Sequence, residues 1–206
     1  MKIRRNIIDR LVSWKDASDR KPLILMGARQ VGKTWIMKEF GNLYFKNVVY
    51  VNFDLEKEVY SFFESSKNPQ RIVQNLSLYY STNIVTGDTL LIFDEIQECN
   101  TALNSLKYFC EDLPGLHVVC AGSLLGVALS KGDSFPVGKV DFLNVYPVTF
   151  NEFLQAKSPN LVEYINSIKE TYTFFKLSVK FSLYGHFFLL FCTECCIFAL
   201  RGVEIR

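Results

Sequence analysis

Net charge is nearly absent from this chain: 23 Lys and Arg against 21 Asp and Glu leave +2 over 206 residues. So small a balance gives no electrostatic argument for nucleic acid by itself. Internal repeats and low-complexity segments are also missing, so nothing points to a repeat array. A secretory segment is missing too. Lys2, Arg4 and Arg5 are followed only by the short apolar pair Ile7 and Ile8, and no hydrophobic h-region continues from them. The expected location is therefore cytoplasmic, and a disulfide framework is not expected. Histidine is scarce, with 2 in the chain. The 6 cysteines stand at positions 99, 110, 120, 192, 195 and 196. The first three lie in apolar surroundings, where a reduced buried thiol is the common outcome. "CTECC" holds one Cys-x-x-Cys pair, Cys192 to Cys195, with only His186 nearby. One such pair is weak evidence for zinc.

What the chain does have is apolar material. Hydrophobic residues make up 49% and charged residues 21%, enough to bury a sizeable core. The length suits one domain, or one domain with a fragment of another. In "RRNIIDRLVSWK", residues 4–15, Ile7, Ile8, Leu11 and Trp14 recur at helical spacing. "KPLILMG" reads as a buried strand, residues 33–40 as a helix, and "NVVYVNFD", 47–54, as a second strand. "EKEVYSFFES" and "PQRIVQNLSLYYS" read as helices, and "DTLLIFDE", 88–95, as a third strand. "NTALNSLKYFCED" is a helix with Ala102, Leu103, Leu106, Phe109 and Cys110 inward, and "GLHVVCAGS" a fourth strand. Near-continuous apolar strands alternating with helices predict an α/β fold whose parallel sheet is covered on both faces. Ligands on such sheets bind beyond the strand carboxyl ends, where Gly27, Asp94 and Ser123 all fall.

The stretch Gly27, Ala28, Arg29, Gln30, Val31, Gly32, Lys33 and Thr34 matches the phosphate-loop pattern in full. Gly27 and Gly32 can take positive φ and put no side chain between backbone and phosphate. Successive N–H groups then point inward, and the helix beginning near Lys33 adds its free N–H groups and positive dipole end. Lys33 would reach the β- and γ-phosphates of ATP, and the Thr34 hydroxyl would bind Mg²⁺.

"LLIFDEIQ" ends an apolar strand on Asp94 and Glu95. The first acid is placed to hold Mg²⁺, usually through water. The second can orient or deprotonate the attacking water. An acid pair suits activation of water better than transfer to an acceptor hydroxyl, so hydrolysis is favoured over a kinase reaction. Ser123 either hydrogen-bonds the γ-phosphate or that water, or caps the helix after it.

"KPLILMGARQVGKT", "YVNFD", "LLIFDEIQE", "VVCAGSLLGVAL" and "VYPVTFNEFL" occur in this order in prokaryotic AAA+-type P-loop ATPases, and over roughly residues 4–156 the chain resembles that family. The resemblance implies a P-loop NTPase three-layer sandwich with a mostly parallel sheet, AAA+-like. It makes residues 27–34 the Walker A loop and Asp94 and Glu95 the Walker B pair, and it puts Ser123 at the sensor position. Relatives continue into an uncharacterised C-terminal domain, with nuclease-like and DNA-binding among the alternatives. This chain resembles a truncated copy, with an ATP-binding core over 1–157 and an atypical tail over 158–206. Relatives commonly carry Gly-Arg where this chain has Gly138 and Lys139. If that arginine contacts a neighbouring subunit's nucleotide, lysine is a weaker point-charge substitute.

"FSLYGHFFLLFCTECCIFAL", 181–200, holds no Lys or Arg. Its Phe, Leu and Ile favour membrane insertion by roughly 3 to 6 kcal/mol, and Glu194 opposes it by up to about 3. The balance is marginal, and the window is read as a buried segment or an out-of-frame end rather than an anchor. Removing residues 174–206 is expected to raise soluble yield.

Three functions compete. The leading one is Mg²⁺-dependent ATP hydrolysis, with catalytic Glu95, Lys33 and Ser123, coupled to an unknown partner or a missing C-terminal domain. The second is a nucleotide-dependent interaction module with little turnover, self-associating or joined to protein or DNA. The third is DNA binding through Arg4, Arg5 and Arg10 and the family's C-terminal domain, although a solvated helix face accounts better for those arginines.

Overall fold

The computed structural model describes residues 3–122, 136 and 138–167. Five strands form one sheet: β1 (Leu23–Met26), β2 (Asn47–Asn52), β3 (Thr89–Asp94), β4 (His117–Ala121) and β5 (Asp141–Asn144). Every pairing is parallel, and the order across the sheet is β2-β3-β4-β1-β5. Each connection is therefore a crossover, and the helices come to lie on both faces.

The continuous apolar runs resolve into two alternating sets, because successive strand residues point to opposite faces. Leu23, Leu25, Leu90, Ile92, Val119 and Ala121 pack with Ile8 and Leu11 of α1 (Ile7–Asp16) and with Ile36, Met37 and Phe40 of α2 (Lys33–Tyr44). Ile24, Leu91, Phe93, Val118 and Cys120 face the other way. They meet Phe63 of α3 (Tyr60–Glu64), Ile72 and Leu76 of α4 (Pro69–Tyr79), and Leu106 and Phe109 of α5 (Asn100–Asp112). The result is the expected three-layer α/β sandwich.

Several boundaries differ from expectation. The first helix begins at Ile7 rather than residue 4, and α2 runs past Phe40 to Tyr44. "EKEVYSFFES" splits into a 3₁₀ turn, Lys57–Val59, and the short α3. Cys99 and Cys120 are buried and Cys110 is half-buried, all three free. Burial pushes the Cys120 thiol well up, so it stays protonated and packs as a small apolar group.

The chain divides into two compact units, Arg5–Tyr146 and a second comprising Met1–Arg4 with Pro147–Arg206. In the second, α6 (Phe150–Lys157) and α7 (Pro159–Ser167) pack together. Thr149 and Glu152 form a reciprocal capping box at the start of α6. Ser123, the Cys192–Cys195 pair and the apolar window 181–200 lie outside the described residues. Among those described, no helix is long and apolar enough to cross a membrane.

Candidate nucleotide site

The loop between β1 and α2 is built by backbone conformations that its residues can adopt. Gly27 has φ 154° and Gly32 φ 89°. A Cβ at Gly27 would collide with the carbonyl oxygen of Val145, so only glycine lets the loop leave β1 this close to the chain after β5. Gln30 takes φ 63°, a left-handed turn that exposes its side chain along with those of Ala28 and Arg29. Val31 instead turns inward and is 8% exposed. α2 starts at Lys33 with Gly32 as its cap residue, so its first N–H groups face the loop.

Lys33 is buried and donates to the carbonyls of Gly27 (2.9 Å) and Ala28 (2.8 Å). Burial holds its ammonium below the ordinary lysine range, and the charges of Glu95 and Asp94 partly offset that effect.

Asp94 ends β3 and is 4% exposed. The Thr34 hydroxyl donates to its Oδ2 at 2.7 Å and the Tyr50 hydroxyl to the same oxygen at 2.9 Å. The Glu95 backbone N–H reaches Oδ1 at 3.1 Å. A buried carboxylate needs such donors to offset lost hydration. Tyr50 belongs to β2, where it pairs with Ile92 while Asn52 pairs with Asp94. The Tyr50–Asp94 contact is thus a diagonal across neighbouring strands, within reach of an aromatic side chain. Burial first, then the bond to Asp94, pushes the Tyr50 hydroxyl up to about 12. Lys38, one helical turn beyond Thr34, sets its ammonium 3.6 Å from the Tyr50 ring centroid.

Glu95 follows in a left-handed conformation, φ 51° and ψ 43°. The Gln97 amide donates to its Oε2 at 2.7 Å.

The structure thus brings Lys33, Thr34, Asp94 and Glu95 together at the strand carboxyl ends. β4 lies between β1 and β3, so its carboxyl end at Ala121 stands between the loop and the acids. The expectation for Ser123 falls outside the described residues.

Arg5 corrects the reading of a solvated basic face. It is 6% exposed, and it donates to the Val31 carbonyl (3.2 Å) and the Tyr146 carbonyl (2.6 Å). Its guanidinium ties the loop to the chain leaving β5. Lys139 lies just before β5 and meets Glu111 at 2.9 Å, near the amino ends of the strands. Arg5, Tyr50 and Gln97 also stand around the site; Tyr50 and Gln97 lie inside the quoted motifs and Arg5 in the basic N-terminal stretch, but no spacing or residue pattern assigned any of them a part in it.

The oxygen donors Thr34 and Asp94, side by side, suit a hard divalent cation such as Mg²⁺. Among the described residues no cluster of three or more His, Cys, Asp or Glu could hold a metal alone. Any cation here would therefore complete its shell with water or ligand oxygens, as Mg²⁺ commonly does with phosphates.

Comparison with known proteins bears on the family and on the fold. A family model described as an AAA domain matches residues 19–154. The Walker-type ATPase PABY2304 of Pyrococcus abyssi is 19% identical with a TM-score of 0.50, covering 78% of this chain and 59% of that one. PCH-2 of C. elegans is 16% identical with a TM-score of 0.44, covering 77% and 46%. The ORC1 protein of Aeropyrum pernix, solved in complex with DNA, is 14% identical with a TM-score of 0.47, covering 78% and 50%. The chain spans about half the length of these solved chains, and at such identities the likeness concerns the fold alone. No curated protein matches the sequence. The phosphate loop, the acid-tipped β3 and the family match over residues 19–154 lead to one conclusion: the chain belongs to the AAA domain family, with an ATPase-like nucleotide-binding core of the P-loop type.

Proposed function

We propose that the chain binds ATP with Mg²⁺ on the 27–34 loop and hydrolyses it to ADP and phosphate. The observation that carries this reading is the 2.7 Å hydrogen bond from Thr34 to Asp94, formed across a sequence separation of 60. A strand-end acid packed on the first turn of a phosphate-loop helix is the arrangement that Mg²⁺-dependent phosphoryl transfer uses.

Thr34 and Asp94 would hold the metal, which when bound neutralises charge on the β- and γ-phosphate oxygens. The backbone N–H groups of residues 27–34 would cradle the phosphates. Lys33 would exchange its two carbonyl partners for phosphate oxygens, gaining charge-assisted bonds in a buried setting. Glu95 would accept a proton from the attacking water as the bond to the leaving phosphate oxygen breaks. Ser123 keeps the role suggested by its position after β4, contacting the γ-phosphate or that water. We keep 1–157 as the proposed core, with hydrolysis coupled to a C-terminal domain or a partner, protein or DNA.

Equilibrium binding of ATP with Mg²⁺ tests the site. Lys33→Ala is expected to weaken binding at least about 10-fold, the loss of one charge-assisted contact or more. Undiminished binding would remove the loop from the site. Glu95→Gln should bind as the parent does and not turn over; retained turnover would defeat the role given to Glu95.

A second reading, a nucleotide-dependent interaction module with little turnover, draws support from the Gln97–Glu95 contact, which engages the carboxylate meant to act on water. Gln97→Ala separates the two. Turnover that rises in the variant favours the module with a restrained base, and turnover that is unchanged or lower favours the ordinary ATPase.

A further inference from the structure

We propose that Tyr50 is a positioning residue for the metal site, its hydroxyl fixing the Asp94 carboxylate so that one acceptor position stays open for metal-bound water. The proposal rests on the reading of Asp94 as the metal's carboxylate.

A carboxylate offers about four lone-pair positions. Thr34 and Tyr50 both donate to Oδ2, and the Glu95 N–H donates to Oδ1. Oδ2 is thereby filled by two side chains, and Oδ1 keeps one position. The Thr34 hydroxyl, with its proton committed to Asp94, turns its own lone pairs elsewhere. Donors that orient a ligand in this way are the usual outer support of a metal site.

Tyr50 is itself held on both sides. The Asn52 amide donates to the Tyr50 hydroxyl oxygen at 3.3 Å, which leaves the hydroxyl proton for Asp94. Lys38 rests its ammonium on the ring, so the ring is tied to the same helix that carries Lys33 and Thr34. The ring's packing needs no oxygen: Tyr50 lies against an apolar cluster of β3, α1 and α2 residues, which phenylalanine would meet equally well. The hydroxyl is the part that addresses Asp94.

The test uses the full chain and follows ATP binding while Mg²⁺ is titrated, with a parallel measurement in EDTA. Tyr50→Phe is expected to raise the half-saturating Mg²⁺ concentration about 10-fold, while metal-free binding changes less than about 2-fold. Equal losses with and without metal, or a lowered melting temperature with an unchanged Mg²⁺ response, would make Tyr50 a packing residue and overturn the proposal. Asp94→Asn keeps the two failures apart. Should Asp94→Asn lose the Mg²⁺ response while Tyr50→Phe keeps it, the proposal alone falls. Should Asp94→Asn respond as the parent does, or should the parent bind no nucleotide, the underlying reading falls and takes the proposal with it.

Discussion

Arg5 shows what a single residue does here that its sequence neighbours conceal. It sits beside Arg4 ahead of a helical pattern, and that pattern suggested a solvated basic face. The helix starts only at Ile7, so helical periodicity does not govern Arg5, whose side chain is free to turn onto the Val31 and Tyr146 carbonyls. Arg5→Ala removes two charge-assisted bonds, each worth roughly 1.5–3 kcal/mol. Urea unfolding should register a loss of at least about 2 kcal/mol, and ATP affinity should fall with it as the loop loosens. Arg5→Lys should recover only part, because an ammonium lacks the planar fork. His117 supplies a second residue-scale prediction. Burial first, then the nearby Arg20, lowers it from 6.5 to about 4; its backbone bond with Lys15 and the charge of Asp16 oppose this, and the Lys15 charge adds to it. Between those two pH values the unfolded chain holds a proton that the folded chain does not. Stability therefore falls as pH drops from 6.5 to about 4 and levels off below. His117→Phe, which keeps a ring against Trp14 and Phe45, should flatten that part of a melting-temperature profile. An unchanged slope would assign it to other groups.

Secondary-structure elements were legible where their burial is uniform. β3 is buried along its whole length and β4 likewise, so each shows an apolar run, "LLIF" and "VVCA", beside buried polar residues. β5 was harder. Only Leu143 of its four residues is buried, so no apolar run marks it in the sequence. α2 runs four residues past its expected end at Phe40, through Gly41 and Asn42, residue types that often end a helix. A Cβ at Gly41 would instead press on Val48 at 2.7 Å, so glycine is what lets the helix pass close to β2. At α6 the signal "TFNE" is local: Thr149 accepts from the Glu152 N–H, and Glu152 accepts from the Thr149 N–H. Thr149→Ala should cost this helix about 1 kcal/mol. Faster amide exchange across 150–157 would report it, and unchanged exchange would show the cap to be redundant.

At the scale of the molecule, the motif spacing picked out residues that the structure gathers at the strand carboxyl ends, such as Thr34 and Asp94, and the alternation of elements made the parallel sheet readable. Strand order was not readable, because a buried strand carries apolar residues on both faces and no mark of its neighbours. The convergence of Tyr50 on Asp94 depends on β2 lying beside β3, which no local pattern encodes. Ligand binding should act on the whole domain. With ATP and Mg²⁺ at about 100 times the dissociation constant, the native state gains about 2.7 kcal/mol, a rise of about 5–11 °C in melting temperature for a domain of this size. Lys33→Ala should show little of that rise in the same scan.

β1 is bonded on one side to β4 and on the other to β5. Its partners thus follow it by roughly a hundred residues, and at about 5–20 residues per second a ribosome takes several seconds or more to deliver them. Through that interval "LILM" has no edge to join, and Gly27 has no Val145 carbonyl to turn against. The segment that carries the phosphate loop is thus made well before the strands that flank it. During synthesis it is an apolar strand in search of company, the kind of stretch that chaperones hold and that aggregates recruit.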